Sequence, residues 1–373
     1  MPNFTWNVDP IALEIPKGPL LLVVGAIAAL MLITGLVKRE NDLSIFGLFM
    51  GAVLLIASSY LPDPIGLRYY SLLFVGVFLG GYALLNWQIR RAGGPIEAAG
   101  DFIVYGVAGV LIGARLGHVV FYDFEKAMED PLWVLQIWTG GLASHGAVIG
   151  LIVAMWLFAK RRGVPFLEGA DRFAFSAALG ATLVRLGNFF NSEIVGREVP
   201  DQSWGVRFPL YDVTALQPPL RYPTQLFEFT LGLFVLLCLW LVDRWAGKEK
   251  RPRGLLISTF FLVYFSGRFG IEFFKELQVL SYEKSSPITM GQTLSLPGIA
   301  LGLFGVFWSL KRKEPCGWPG AETPDDEDAT EDEENASDAD DAYDPDVDEE
   351  LAAKGRRDDD DDDDKPSPTS KKD

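Results

Sequence analysis

Arg185-Leu-Gly-Asn-Phe-Phe-Asn-Ser-Glu-Ile-Val-Gly-Arg197 closes an apolar run, Phe173 to Phe190, that is long enough to cross a bilayer. Two arginines, two carboxamides and a carboxylate therefore stand at the edge of a hydrocarbon layer. Such groups are costly at membrane depth and are kept where they pair, line a cavity or do chemistry. A helix end reaching for the headgroups accounts for one arginine; it accounts poorly for five hydrogen-bonding groups in thirteen residues. The stretch points to an all-α polytopic membrane protein with a polar cavity.

Working outward, hydropathy predicts about nine transmembrane helices, each near the ~20 residues that span ~30 Å of hydrocarbon. They fall at Pro19–Val37, Leu43–Leu61, Tyr69–Ile89, Phe102–Tyr122, Leu142–Ala159, Arg172–Phe190, Gln225–Trp245, Leu255–Phe274 and Gly291–Leu310. Alternate connections carry Lys38-Arg39, Arg90-Arg91, Lys160-Arg161-Arg162, then Lys248, Lys250, Arg251 and Arg253, then Lys311-Arg312-Lys313. The connections between them, such as Asp123–Pro131, are acidic or near neutral. Lys and Arg concentrate on the cytoplasmic side, so this alternation puts the N-terminus outside and the C-terminus in the cytoplasm. The first run is read as a retained span, because its positive charges follow it, the reverse of a secretory signal.

Composition agrees: 49% hydrophobic residues, 13% aromatic residues and 38 glycines do not describe an ordinary soluble domain. The net charge of -16 is concentrated in the tail, where Glu314–Asp373 holds 26 acids against 6 bases. The remaining 23 acids and 27 bases leave the body slightly basic, and nothing in the pattern calls for a nucleic acid partner. With its run Asp358–Asp364 and few apolar residues, the tail buries too little surface to offset chain entropy, and it reads as a disordered cytoplasmic segment without a specific partner. Cys238 and Cys316 lie in a span and on the reducing side, so no disulfide is expected. No Cys/His spacing suggests a metal, and no cofactor is implied.

Two segments interrupt the simple spans. Trp138–Gly150 is rich in glycine and holds His145, one of two histidines in the chain. Glycine permits unusual backbone angles and close approach, and non-helical backbone at membrane depth is tolerated only against protein or a wet cavity. The connection Asn191–Thr224, with Trp204, Arg207, Tyr211, Arg221 and Tyr222, exceeds an ordinary loop and reads as a small external head. Further charge is buried in later spans. Arg268 and Glu272, four apart, can pair on one helix face. Gln225 and Glu228 open the seventh span, and Arg115, His118 and Tyr122 share a face of the fourth. Each of these sets is equally compatible with structural pairing.

Together these pieces resemble the prolipoprotein diacylglyceryl transferases. The matching segments are Gly113-Ala-Arg-Leu-Gly117 with Phe121-Tyr122, Gly140–Ala147, the signature Arg185–Arg197, Arg221–Glu228, Gly267–Phe274 and Gly291–Ser295. They occur in the family's order over roughly 66–313. The resemblance implies a seven-span body, preceded here by an extension (1–65) with two extra spans. It also implies transfer of a diacylglyceryl group from phosphatidylglycerol to the lipobox cysteine thiol of prolipoprotein signal peptides, in a bacterial inner membrane. Thioether formation and release of glycerol phosphate follow from that chemistry. A thiol is a weak nucleophile until deprotonated, and His145 is the general base by residue type. Arg185 and Arg268 are the guanidinium groups for the departing phosphate. Asn188 and Asn191 orient oxygens, Glu193 and Glu272 hold the arginines, and Tyr70, Arg115 and Gly196 complete the substrate-binding set.

The chain also departs from the family pattern: Val184 precedes the signature where Gly is common, His118 replaces a tyrosine, and Tyr222 stands where many members have His. A non-catalytic relative binding lipid or prolipoprotein is the alternative that Tyr222 raises. A transporter, which also places charge and broken helices at midplane, would show internal repeats; the glycine-rich segment at Gly140 has no later counterpart.

Overall fold

A computed structural model describes residues 4–38, 58–277 and 287–320, together with 48, 51, 52, 54 and 55. Most of the expected second span, Leu43–Leu61, and all of the tail after Gly320 lie outside the described residues. Nine α-helices are described: α1 Lys17–Lys38, α2 Tyr69–Arg91, α3 Ala98–Phe121, α4 Phe124–Glu129, α5 Ser144–Arg162, α6 Phe166–Phe190, α7 Thr224–Trp245, α8 Leu255–Ile271 and α9 Met290–Arg312. Seven helices are long and apolar enough to cross a membrane, the protein being a mostly helical, polytopic membrane protein. The expected fifth span corresponds to α5, a 19-residue helix ending on Lys160, Arg161 and Arg162, which is not one of those seven.

The sequence reading of an all-α chain missed four short strands. β1 (Phe4–Thr5) pairs in parallel with β4 (Val206–Arg207), and β2 (Ile11–Ile15) pairs antiparallel with β3 (Ile65–Arg68). Ile15 and Ile65 are register partners, so the chain before α1 and the chain before α2 are held side by side. The N-terminal extension is thus not laid end to end before the body. Its first residues are stitched into the body, and α1 belongs to an excursion between two paired strands.

Helix α6 is central: Ala174, Phe175 and Ala178 pack with Leu231, Val235 and Leu239 of α7 and with Leu256 and Phe260 of α8. Small residues set the closest approaches, as expected where lipid supplies no hydrophobic drive between helices. A side chain at Gly113 or Gly146 would run into the other helix's backbone, which fixes the α3–α5 crossing; Gly232 similarly admits Thr182.

Basic residues in the last turns of α2, α5, α7 and α9 define one end of the bundle, where a charged network ties the helices together. Arg172, fully buried, donates to Glu168 Oε1 (2.7 Å) and places its fork on Glu249 (3.0 and 2.6 Å). Arg91 seats on both oxygens of Asp243 (2.8 and 2.7 Å), and Arg251 Nη1 reaches Asp243 Oδ1 at 3.1 Å. Asp171 accepts the Gly254 and Ile257 amides (2.7 and 2.9 Å), satisfying donors at the start of α8. Burial pulls the Glu249 carboxyl upward, but Arg172, Arg251 and Arg91 outweigh it and hold it below the ordinary carboxylate value.

The chain after α9 belongs to this end. Glu314 O accepts from Arg253 N (2.7 Å), Cys316 N donates to Arg251 O (3.1 Å), and Trp318 N donates to Ala92 O (3.2 Å). Contacts with the helices therefore continue past Lys313 as far as Trp318. Buried Cys316 and Trp318 supply the apolar anchors that the acidic composition after Glu314 obscured. Burial pushes the Cys316 thiol up to about 12.

Candidate active site

At the other end of the bundle, called here the head end, the last turns of α6 carry Arg185 and Asn188, and Asn191 caps the helix. The first turns of α7 bring Gln225 and Glu228, the end of α8 brings Arg268, and a short 3-10 turn, Glu272–Phe274, leads to Lys275. Glu228, 2% exposed, is the centre: Arg185 Nε lies 3.1 Å from its Oε2, Arg268 Nη1 3.2 Å and Lys275 Nζ 3.0 Å from its Oε1. Lys275 also lies 3.4 Å from Glu272 Oε2. Three cations thus meet two carboxylates. Arg185 and Arg268 keep 16% and 21% side-chain exposure, leaving donor positions for an anion.

This corrects the expected pairing of Arg268 with Glu272. Glu272 still sits one helical turn after Arg268, its N–H on Arg268 O, so the spacing is kept, but Arg268 takes Glu228 and Glu272 takes Lys275 as ion-pair partners. The Glu272 carboxylate instead fills the space left by Gly291, where a side chain would collide with it. It also corrects the role expected of Glu193, whose Oε1 accepts Asn188 Nδ2 (2.8 Å) and Asn191 Nδ2 (3.2 Å) rather than an arginine. Arg185 Nη1 donates to Asn188 Oδ1 at 3.2 Å, so the asparagine links the two sets.

Backbone strain frames Glu193. Ser192 and Ile194 have φ of 53° and 55°, in the left-handed region that a β-branched residue avoids. Such conformations cost about 1–3 kcal/mol each and persist where the surroundings enforce them. Here Gln225 Nε2 donates to Glu193 O (2.8 Å) and Thr224 Oγ1 to Ile194 O (3.2 Å). Among the described residues, Asn191 Oδ1, Ser192 Oγ and Gln225 Oε1 are buried without a hydrogen-bond partner. Orphaned polar atoms near partly exposed guanidinium groups are what a site for a polar, anionic ligand leaves open. Tyr70, at the start of α2, lies against Gly187, where the missing side chain admits its ring.

Gly196 is a point of backbone crossing. Its N–H donates to Tyr222 O (3.0 Å), and a side chain would strike the carbonyls of Tyr222 and Phe274. Tyr222 packs its ring at 5.4 Å from Trp204 and 5.3 Å from Phe274, so the departure from His is absorbed by an aromatic cluster in the head. Arg221 braces the same region, forking onto Asp212 (2.9 and 2.8 Å) and reaching Glu276 at 2.7 Å.

Arg115 and His145 stand on α3 and α5. Arg115 Nε donates to Val134 O (2.9 Å), Nη1 to Gly140 O (2.7 Å) and Nη2 to Trp133 O (2.6 Å), beneath the Trp133 ring. These donors serve the loop that leads into α5, and Gly140 and Gly141, with φ of 87° and 74°, give that loop turns other residues resist. Ala143 N then bonds Ala114 O (2.9 Å), and His145 emerges exposed in the first turn of α5. The structure brings Tyr70, Arg185, Asn188, Asn191, Glu193, Arg268 and Glu272 into one cluster; no described contact joins Arg115 or His145 to it. Lys275 was missed by sequence reading, and Glu228 was noted without its role. Only their position beside recognised motifs hinted at either.

Residues 56–308 match the family model described as prolipoprotein diacylglyceryl transferase. Curated relatives include the phosphatidylglycerol--prolipoprotein diacylglyceryl transferases of Pseudoalteromonas atlantica (38% identical over 256 residues, 67% of this chain and 88% of that one) and Chromohalobacter salexigens (36% over 254 residues, 68% and 91%). That of Tolumonas auensis is 38% identical over 251 residues, covering 67% of this chain and 94% of its own. With its membrane helices, its signature and two thirds of its length so matched, the chain belongs to the prolipoprotein diacylglyceryl transferase family.

Proposed function

We infer that this protein transfers the diacylglyceryl group of phosphatidylglycerol to the lipobox cysteine thiol of prolipoproteins, the first step of bacterial lipoprotein maturation. The observation that carries the residue assignment is the meeting of Arg185, Arg268 and Lys275 on Glu228 at the end of α6. Phosphatidylglycerol brings one negative charge, and the phosphate gains charge as it leaves. Fixed cations in a water-poor site act on that developing charge without reorganising, and guanidinium forks match phosphate oxygens.

In the reaction the cysteine sulfur forms a bond to the glycerol carbon as the carbon–oxygen bond to phosphate breaks, and the electron pair leaves with glycerol phosphate. His145, exposed at the start of α5, takes the thiol proton. Arg185 and Arg268 meet the phosphate. Asn188 and Asn191, aligned by Glu193, address the glycerol and phosphate oxygens together with Tyr70. Arg115, Gly196 and Glu272 support the site through the loop, the backbone crossing and Lys275. The nine-span topology has the head outside, where a lipobox cysteine emerges, and the acidic tail in the cytoplasm.

The test is purified protein with phosphatidylglycerol and a lipobox peptide, following glycerol phosphate release and peptide mass. A diacylglyceryl mass gain that disappears when the peptide cysteine is changed to serine is expected. Well-folded protein that binds phosphatidylglycerol and yields no product overturns the assignment.

A further inference from the structure

Residues 4–10 lie ahead of the family match, which begins at residue 56, yet they reach the frame of the site. Thr5 pairs with Arg207 of β4, and Trp6 N donates to Arg207 O at 2.9 Å. The Trp6 ring then lies 4.3 Å from Phe189 and 5.5 Å from Phe190, in the cluster that Phe189 forms with Val195, Val206 and Phe208. Phe190 is held on a second side by Tyr69, stacked at 4.6 Å, whose N–H donates to Pro10 O (3.0 Å). Phe189 and Phe190 sit between Asn188 and Asn191, the two amides that converge on Glu193.

We propose that this N-terminal strap is a positioning element of the transferase site, with Trp6 as its positioning residue. The inference rests on the transferase reading given above. The physical case is leverage. Asn188 and Asn191 lie at the last turn of α6, where helices fray, and the next residues are strained. Nothing in the helix alone fixes how the turn splays; the aromatic pair wedged between strap and Tyr69 does. Aromatic contacts of this kind add stability beyond the area they bury. The Trp6 Nε1 is buried without an acceptor among the described residues, so packing rather than a side-chain hydrogen bond holds the ring. Phenylalanine can therefore replace it.

The experiment measures kcat and KM for phosphatidylglycerol, with the detergent thermal midpoint, in the full-length chain carrying Trp6→Ala, Trp6→Phe or Tyr69→Ala. Misplacing catalytic groups by about 1 Å costs ~10²-fold. Trp6→Ala is expected to lower kcat by about 10- to 100-fold with KM little changed, the pattern of an interaction expressed in the transition state. Trp6→Phe restores most of the rate, and Tyr69→Ala, acting on the other side of Phe190, repeats the loss. If Trp6→Ala does not fold, Tyr69→Ala carries the test. Folded variants with normal kcat and only a lower thermal midpoint overturn the proposal. Absence of turnover in the unsubstituted protein would strike the transferase reading instead.

Discussion

The two ends of this bundle are both held by arginines and carboxylates, and they use them differently. At the basic end, Arg172 and Arg91 set their forks on carboxylates two bonds at a time, with Arg172, Glu168 and Asp243 all but inaccessible. At the head end, Glu228 is shared by three cations through single contacts. Buried forks that are matched by carboxylates have nothing left to offer a ligand; cations that outnumber their carboxylates do. Buried charge alone therefore does not mark a site. The stoichiometry of cations to acceptors, rather than exposure, distinguishes the two ends, since Arg91 at the basic end is as open as Arg185 at the head end.

Substitutions can break that contrast. His145→Gln is expected to have the largest effect, a loss of up to ~10⁴-fold in kcat with normal folding; a near-normal rate would remove His145 as the base. At the basic end, Asp243→Ala strips the anion from Arg91 and Arg251 and should cost about 3–5 kcal/mol of stability. Denaturation in detergent measures that cost, while turnover per folded molecule should hold. Arg185→Ala and Arg268→Ala should do the converse, lowering kcat by ~10²–10³-fold with little change in thermal midpoint. If they unfold the protein while the folded fraction works normally, the two ends are alike and the contrast fails.

A gentler probe is pH. The Glu249 carboxyl lies below its ordinary value of 4.5, so its ties give stability that is fully present above pH 4.5 and is lost as pH falls through the lower native value. Acid unfolding of the intact protein should steepen below pH 4.5, and Glu249→Gln should flatten that limb. The smallest effect is expected from removing residues 16–64 and joining Ile15 to Ile65 through a two-residue turn, since the two are already register partners. Activity within about twofold is expected on that geometry; collapse of turnover would show that the excursion reaches the site.

Some of this was legible beforehand. The Arg185–Arg197 signature located the polar cluster of the head end because polar groups at membrane depth stand out against an apolar background whatever their partners. The same logic did not single out Glu168, Asp171 and Arg172, near the start of α6. It paired Arg268 with Glu272 on helical spacing, which the structure keeps, but Glu228 of α7 takes Arg268 and Lys275 takes Glu272. The carbonyl partners of Arg115, Trp133, Val134 and Gly140, lie 18 to 25 residues away and carry no side-chain signal, so its bracing of the loop before α5 was not legible.

What the sequence by itself determined was the set of apolar lengths, the alternation of basic loops and the residue types at the head end. These are local properties, fixed by the cost of placing each group in hydrocarbon. Tertiary structure alone decided that Glu228 and Lys275 complete the cluster, that Asn188 and Asn191 share Glu193, and that residues 4–10 fold back on α6. Those choices depend on which helix faces meet and on single-residue turns at helix ends. Packing of distant segments settles them, and no periodicity along the chain records it.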